Sequence, residues 1–311
     1  MNQPWLFYAI AAPILWACVD ILDKVLISKY GLKPSIFTFL LGISGIIAAA
    51  VIFFVHEEID YSFDIVLLSG ISGIVILLFI FLFFKALELS DAPVVVAMLS
   101  MSSLLSVLWG YLFFHEILTS TQYLGIFVVL VCIALLNMEA SVVSPNQTIG
   151  PPKTFLQNRL SLSKALLLMF PASLLASIVA AIEKHLTNST SVYSVFFWER
   201  IGAFLFTAIL FLLFRAPLTR EIKAIRSKVQ VVIAIDMLSL LAFFCLLLAL
   251  SLGPLSLVMV IGATTPAFVM FFVYFTETIR PGTIPDLASK QRLLKRVLII
   301  SGTISGSYLL L

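Results

Sequence analysis

VLLSGISGIVILLFIFLFF, residues 66–84, runs for 19 positions without a charged side chain. A helix rises 1.5 Å per residue, so such a run comes close to crossing the roughly 30 Å hydrocarbon layer of a bilayer. Only helices and closed barrels satisfy their own backbone hydrogen bonds in lipid, and this stretch lacks the period-2 alternation of a barrel strand. It is read as a membrane-crossing helix.

Working outward, the same reading gives five spans in the first part of the chain: 5–26, 34–55, 64–84, 92–113 and 121–137. Five more follow, at 163–182, 192–214, 229–250, 254–275 and 293–311. The expected fold is an all-α membrane protein of ten transmembrane helices. Between the halves, residues 139–162 carry Pro145, Gly150, Pro151 and Pro152, which is linker chemistry. The domains are thus expected to be residues 1–138, a linker at 139–162, and residues 163–311. Composition agrees: 61% of residues are hydrophobic and 11% charged, where soluble domains have about 25% charged residues. Mean hydropathy is +1.15. No Lys or Arg stands ahead of the first apolar run, so that run is expected to remain as a helix rather than a cleaved leader.

Laying one half on the other at an offset of 160 residues sets Ile21-Leu22-Asp23-Lys24 against Ala181-Ile182-Glu183-Lys184, Phe37 against Phe197 and Gly42 against Gly202. With a few residues of slippage, Ala86-Leu87-Glu88-Leu89-Ser90 faces Ala249-Leu250-Ser251-Leu252-Gly253. Five is an odd number, so two homologous halves enter the membrane in opposite senses, the inverted-repeat construction of many secondary carriers. Seventeen Lys and Arg fall in alternate connections, against Lys184 alone on the other side. By the positive-inside rule both termini are expected outside.

The stretch from Lys85 to Asn137 resembles the EamA family of the drug/metabolite transporter superfamily. Ala86-Leu87 opens the pattern, Ser103 stands where Pro is usual, His115-Glu116-Ile117-Leu118-Thr119 forms the acidic corner, and Gly125 begins the closing helix. In the second half Ala249-Leu250, Thr264-Thr265-Pro266 and Arg200 match. Glu277 comes two residues early to equate with Glu116. The resemblance implies a secondary transporter of a small organic metabolite, such as an amino acid, a drug-like compound or a sugar or nucleoside, working as an exporter in a bacterial or archaeal cytoplasmic membrane. Many ten-helix members of the superfamily have cytoplasmic termini, opposite to the charge count, and the count is followed. The alternative is a channel or a non-transporting membrane sensor.

A charge near the bilayer centre costs about 2.5–3.5 kcal/mol on insertion scales, so an acid there is a functional candidate. Asp20 lies one turn before Lys24, with which it could pair, and Asp236 has no basic residue within four positions. Either is a candidate proton site. Glu199 and Arg200 are adjacent, about 100° apart around the helix, so each is expected to meet a partner on another helix rather than the other. Glu183, at the place of Asp23 in the repeat, and Glu116, at the family's acidic corner, are further candidates. Lys24 and Lys184 are expected to snorkel to the interface. Trp16, Trp109 and Tyr274 could line a pocket.

Gly42-Ile43-Ser44-Gly45 and Gly70-Ile71-Ser72-Gly73 mimic a nucleophile motif, but His56, His115 and His185 all fall at helix ends. Close helix packing is the better reading, and no enzyme is expected. No metal-ligand spacing or phosphate-cradling glycine loop occurs, so no cofactor or metal is implied, and no basic stripe suggests nucleic acid. Cys18, Cys132 and Cys245 read as small apolar fillers. The expected partners are a small-molecule substrate, protons and the lipid bilayer. The fifth and tenth helices are expected to be peripheral or to form a homodimer contact.

Overall fold

A computed structural model describes residues 4–30, 32–56, 58–90, 92–143, 155–213 and 228–279, with residues 219, 222, 302, 306 and 309. The helices are α1 (Pro4–Tyr30), α2 (Pro34–Val55), α3 (Phe63–Leu89), α4 (Ala92–Leu99), α5 (Met101–Phe114), α6 (Ser120–Val143), α7 (Phe155–Ser189), α8 (Val192–Leu213), α9 (Val229–Leu252), α10 (Leu255–Gly262) and α11 (Thr265–Ile279). Among the described residues eight rods are long and apolar enough to cross a bilayer, with α4–α5 and α10–α11 each counting as one. The chain is an all-helical, multi-pass membrane protein. The expected tenth span, 293–311, lies outside the described residues except for Gly302, Gly306 and Leu309. A Cβ at Gly302 would touch Cys132, and one at Gly306 would touch Val129, both on α6.

One expectation is extended and another is corrected. Helical backbone continues into the expected linker, α6 running to Val143 and α7 starting at Phe155; the Pro and Gly residues that forbid helix all lie between those points. The fourth and ninth spans, expected as continuous, are each broken after eight residues. At the first break Ser100 Oγ bonds the Val96 carbonyl at 3.3 Å, and the Ser103 N–H takes Ser100 O instead of a full-turn partner. At the second, Thr264 and Thr265 hydroxyls donate to Ile261 O and Gly262 O, and Pro266 has no N–H to give. Hydroxyls competing for carbonyls loosen a helix where no water can repair it.

The two halves are interleaved. α1 packs most extensively on α9, and α3 on α7; α2 lies on α8, and α5 on α10. Glycines allow the closest approaches: a Cβ at Gly42 would meet Thr207, one at Gly73 would meet the Glu199 carbonyl, and one at Gly202 the Gly70 backbone. Both Gly-Ile-Ser-Gly segments are thus helix-packing surfaces.

Lys24 Nζ on α1 donates to Leu87 O and Ser90 O at 2.9 and 2.8 Å. Lys184 Nζ on α7 donates to Leu250 O and Gly253 O at 2.7 and 2.9 Å. Each ammonium therefore sits on the unsatisfied carbonyls that close a helix, α3 or α9, where the dipole also favours a cation. Each lysine thus ends on the carbonyls that close a neighbouring helix.

The α2–α3 loop is latched to the α7–α8 turn. His56 stacks on Tyr193 with centroids 4.1 Å apart, and Trp198 Nε1 donates to Asp60 O at 2.8 Å. The Asp60 carboxylate accepts the Ser62 N–H and the Thr190 hydroxyl. The Ser62 backbone bond, then the Ser62 and Thr190 hydroxyls, hold its pKa below the usual carboxylate range.

Candidate functional site

A cavity of about 150 Å³ lies where the halves meet, lined from α1, α2, α3, α4, α5, α7, α9, α10 and α11. Both helix breaks open onto it, through Ser100 on one side and Gly262, Ala263 and Thr265 on the other. Its walls are mostly apolar, with Trp16 packed edge-on against Phe243 at 5.1 Å. Four carboxyl groups line it: Asp20, Asp23, Glu183 and Asp236. All are buried, at 8%, 4%, 1% and 5% exposure.

The acids form two groups. Asp20 and Asp23, one turn apart on α1, bring their side chains to one face, and Asp23 lies within electrostatic reach of both Asp20 and Asp236. Asp236 Oδ2 accepts a hydrogen bond from Ser44 Oγ at 3.0 Å. Across the cavity, Glu183 contacts the carboxyl of Glu199, which takes the Ser72 hydroxyl at 2.8 Å on Oε1. Glu183 Oε2 is buried and accepts no N–H or O–H from the described residues.

Arg200 Nη2 lies 3.3 Å from Glu199 Oε2, and its guanidinium stands over the Phe196 and Phe243 rings at 5.1 and 5.4 Å. This corrects the expectation that these neighbours cannot pair. Successive Cβ atoms do diverge, but the Arg side chain is long enough to fold back, and Gly45 on α2 leaves room for its stem.

Of the residues singled out from sequence, Asp20, Trp16, Glu183 and Asp236 therefore meet at the cavity, and Glu199 and Arg200 stand behind Glu183. The others are elsewhere. Lys24 is at the end of α3. Glu116 accepts the Leu255 and Ser256 N–H groups at 2.6 and 2.9 Å, capping α10; it is swung there by His115, whose left-handed φ of 51° ends α5. Trp109 Nε1 donates to Ser177 Oγ at 3.1 Å, tying α5 to α7. Tyr274 is 43% exposed on α11. Asp23 and Phe243 were not singled out; the equivalence of Asp23 with Glu183 was the available signal for the first, and the second has none among so many Phe.

Fold and cavity together define a polytopic helical membrane protein with an acid-lined chamber between interleaved halves. Residues 3–138 match the model of the EamA-like transporter family, the family that the acidic corner resembles. No curated protein sequence matches. A solved structure titled "Crystal structure of protein" shares the fold, with a TM-score of 0.66 and 16% identity over 100% of this chain and 98% of that one.

Proposed function

We propose that this protein is a secondary carrier that moves a small organic solute, as an exporter, by alternating access between two inverted five-helix halves. The observation that carries the reading is the cavity shared by both halves and bordered by both helix breaks. A solute held there contacts elements of each half, so a relative rocking of the halves would expose it to either side. The matching lysine contacts, and the breaks after eight residues in α4 and in α10, support the inverted-repeat reading. Gly302 and Gly306 beside α6 support a tenth helix paired with the fifth, at the periphery or at a homodimer contact.

In this reading Glu199, Arg200 and Asp236 handle solute charge, and Asp20 or Asp236 carries a coupling proton. The domain limits 1–138, 139–162 and 163–311, outward termini and a bacterial or archaeal cytoplasmic membrane complete the proposal. Metabolite profiling of cells with and without the gene supplies the solute, and proteoliposomes then test the mechanism. Saturable flux with counter-flow is expected. Non-saturating flux at channel rates rejects the carrier in favour of a channel, and Asp236→Asn leaving pH-dependent flux unchanged rejects Asp236 as the proton site.

A further inference from the structure

Every ionisable side chain lining the cavity is an acid; neither Lys, Arg nor His contributes to its described wall. Behind that wall Arg200 supplies one positive charge, within electrostatic reach of both Glu183 and Glu199, and its guanidinium is turned onto Glu199 and two rings, so one cation stands against five acids. Taking an uncompensated carboxylate out of water is costly, so buried acids require protons or a cation beside them. Glu183 offers the clearest vacancy: it is 1% exposed, it lines the cavity, and its Oε2 receives no donor among the described residues. Trp16 and Phe243 add aromatic surface to the wall, suited to the apolar body of a solute.

We infer that the cavity is selective for an organic cation, an ammonium group on an apolar body of about one aromatic ring, held by the carboxyl groups of Asp20, Asp23, Glu183 and Asp236. The size follows from the volume: about 150 Å³ is the space in which a buried apolar cavity takes up one benzene. An inorganic cation fits less well, since among the described residues no three His, Cys, Asp or Glu side chains converge as metal ligands, and most of the wall is apolar. An organic anion would meet four acids with no lining base. The inference rests on the cavity being the carrier's solute site, and it assigns the sign of the solute's charge.

Three probes with one body and three charges test it: phenethylamine, 2-phenylethanol and phenylacetate. Binding to the full chain in lipid nanodiscs is measured calorimetrically at neutral pH, and flux of the same compounds is measured in proteoliposomes. The amine is expected to bind at least about tenfold more tightly than the alcohol, with the acid weakest, as one desolvated charge pair plus ring contacts would give. Glu183→Gln and Asp236→Asn should each shrink the amine's advantage over the alcohol. Alcohol or acid matching the amine, or none of the three binding, overturns the inference, and this reading comes from the wild-type chain even where a variant fails to fold. Amine-selective binding without flux overturns the carrier and upholds cation selection. Saturable flux without amine preference does the reverse.

Discussion

Ser44 Oγ on α2 donates to Asp236 Oδ2 on α9 across 3.0 Å, and both side chains are buried. Ser72 on α3 does the same for Glu199 on α8 at 2.8 Å. Each serine belongs to a Gly-Ile-Ser-Gly segment, so the glycines bring a neighbouring helix close and the hydroxyl between them satisfies an acid of the second half.

Ser44→Ala leaves a buried carboxyl oxygen without its donor. Stability is expected to fall by about 1–3 kcal/mol, and thermal unfolding in detergent checks it. A Tm equal to wild type would mean that Asp236 finds another donor.

Lys24→Met and Lys184→Met remove the cation from equivalent helix ends. Each is expected to cost about 1.5–3 kcal/mol, the usual worth of a hydrogen bond to a charged group. A large loss in one and none in the other would contradict equal roles in the two halves.

Glu116→Ala uncaps α10 and should cost about 0.5–2 kcal/mol. Because Glu116 is bonded to backbone rather than to the cavity, the KM of the transported solute is expected to stay unchanged while thermal stability drops. A raised KM with normal stability would return Glu116 to the solute path.

Gly73→Ala forces a methyl group into the Glu199 carbonyl, whereas Gly70→Ala enters open space. The first should destabilise by about 1–3 kcal/mol; the second should be neutral or gain about 0.5–1 kcal/mol from helix propensity. Paired unfolding measurements decide it, and equal effects would refute the close α3–α8 approach.

Asp60 gives a pH dependence outside the membrane. Its pKa in the folded chain lies below the unfolded value of 3.8, so its stabilising contribution is present above that value and is lost as pH falls through the lower one. Unfolding temperatures measured from neutral pH down to acid should show this loss in wild type and less of it in Asp60→Asn. Parallel curves would remove Asp60 from the latch.

The helical class and most span limits were legible because a lipid-crossing helix satisfies its backbone internally, which makes apolar length a local signal. The helix breaks were harder to read: Ser100, Thr264, Thr265 and Pro266 stand in the sequence, but whether a hydroxyl competes with the ladder depends on its rotamer. Asp20 and Asp236 stood out as acids within apolar runs, while Asp23 was legible only as the repeat counterpart of Glu183.

Sequence by itself determined a multi-pass helical membrane protein, the spacing of its spans, and the matching acid–lysine pairs Asp23-Lys24 and Glu183-Lys184. Tertiary structure decided where those side chains go: both lysines to distant helix ends, both acids to one cavity, and Arg200 back onto Glu199. The reason is reach. Backbone hydrogen bonding in a helix is settled within four residues, whereas a buried charge takes its partner from a helix that may be a hundred and more positions away, and only packing brings that helix near.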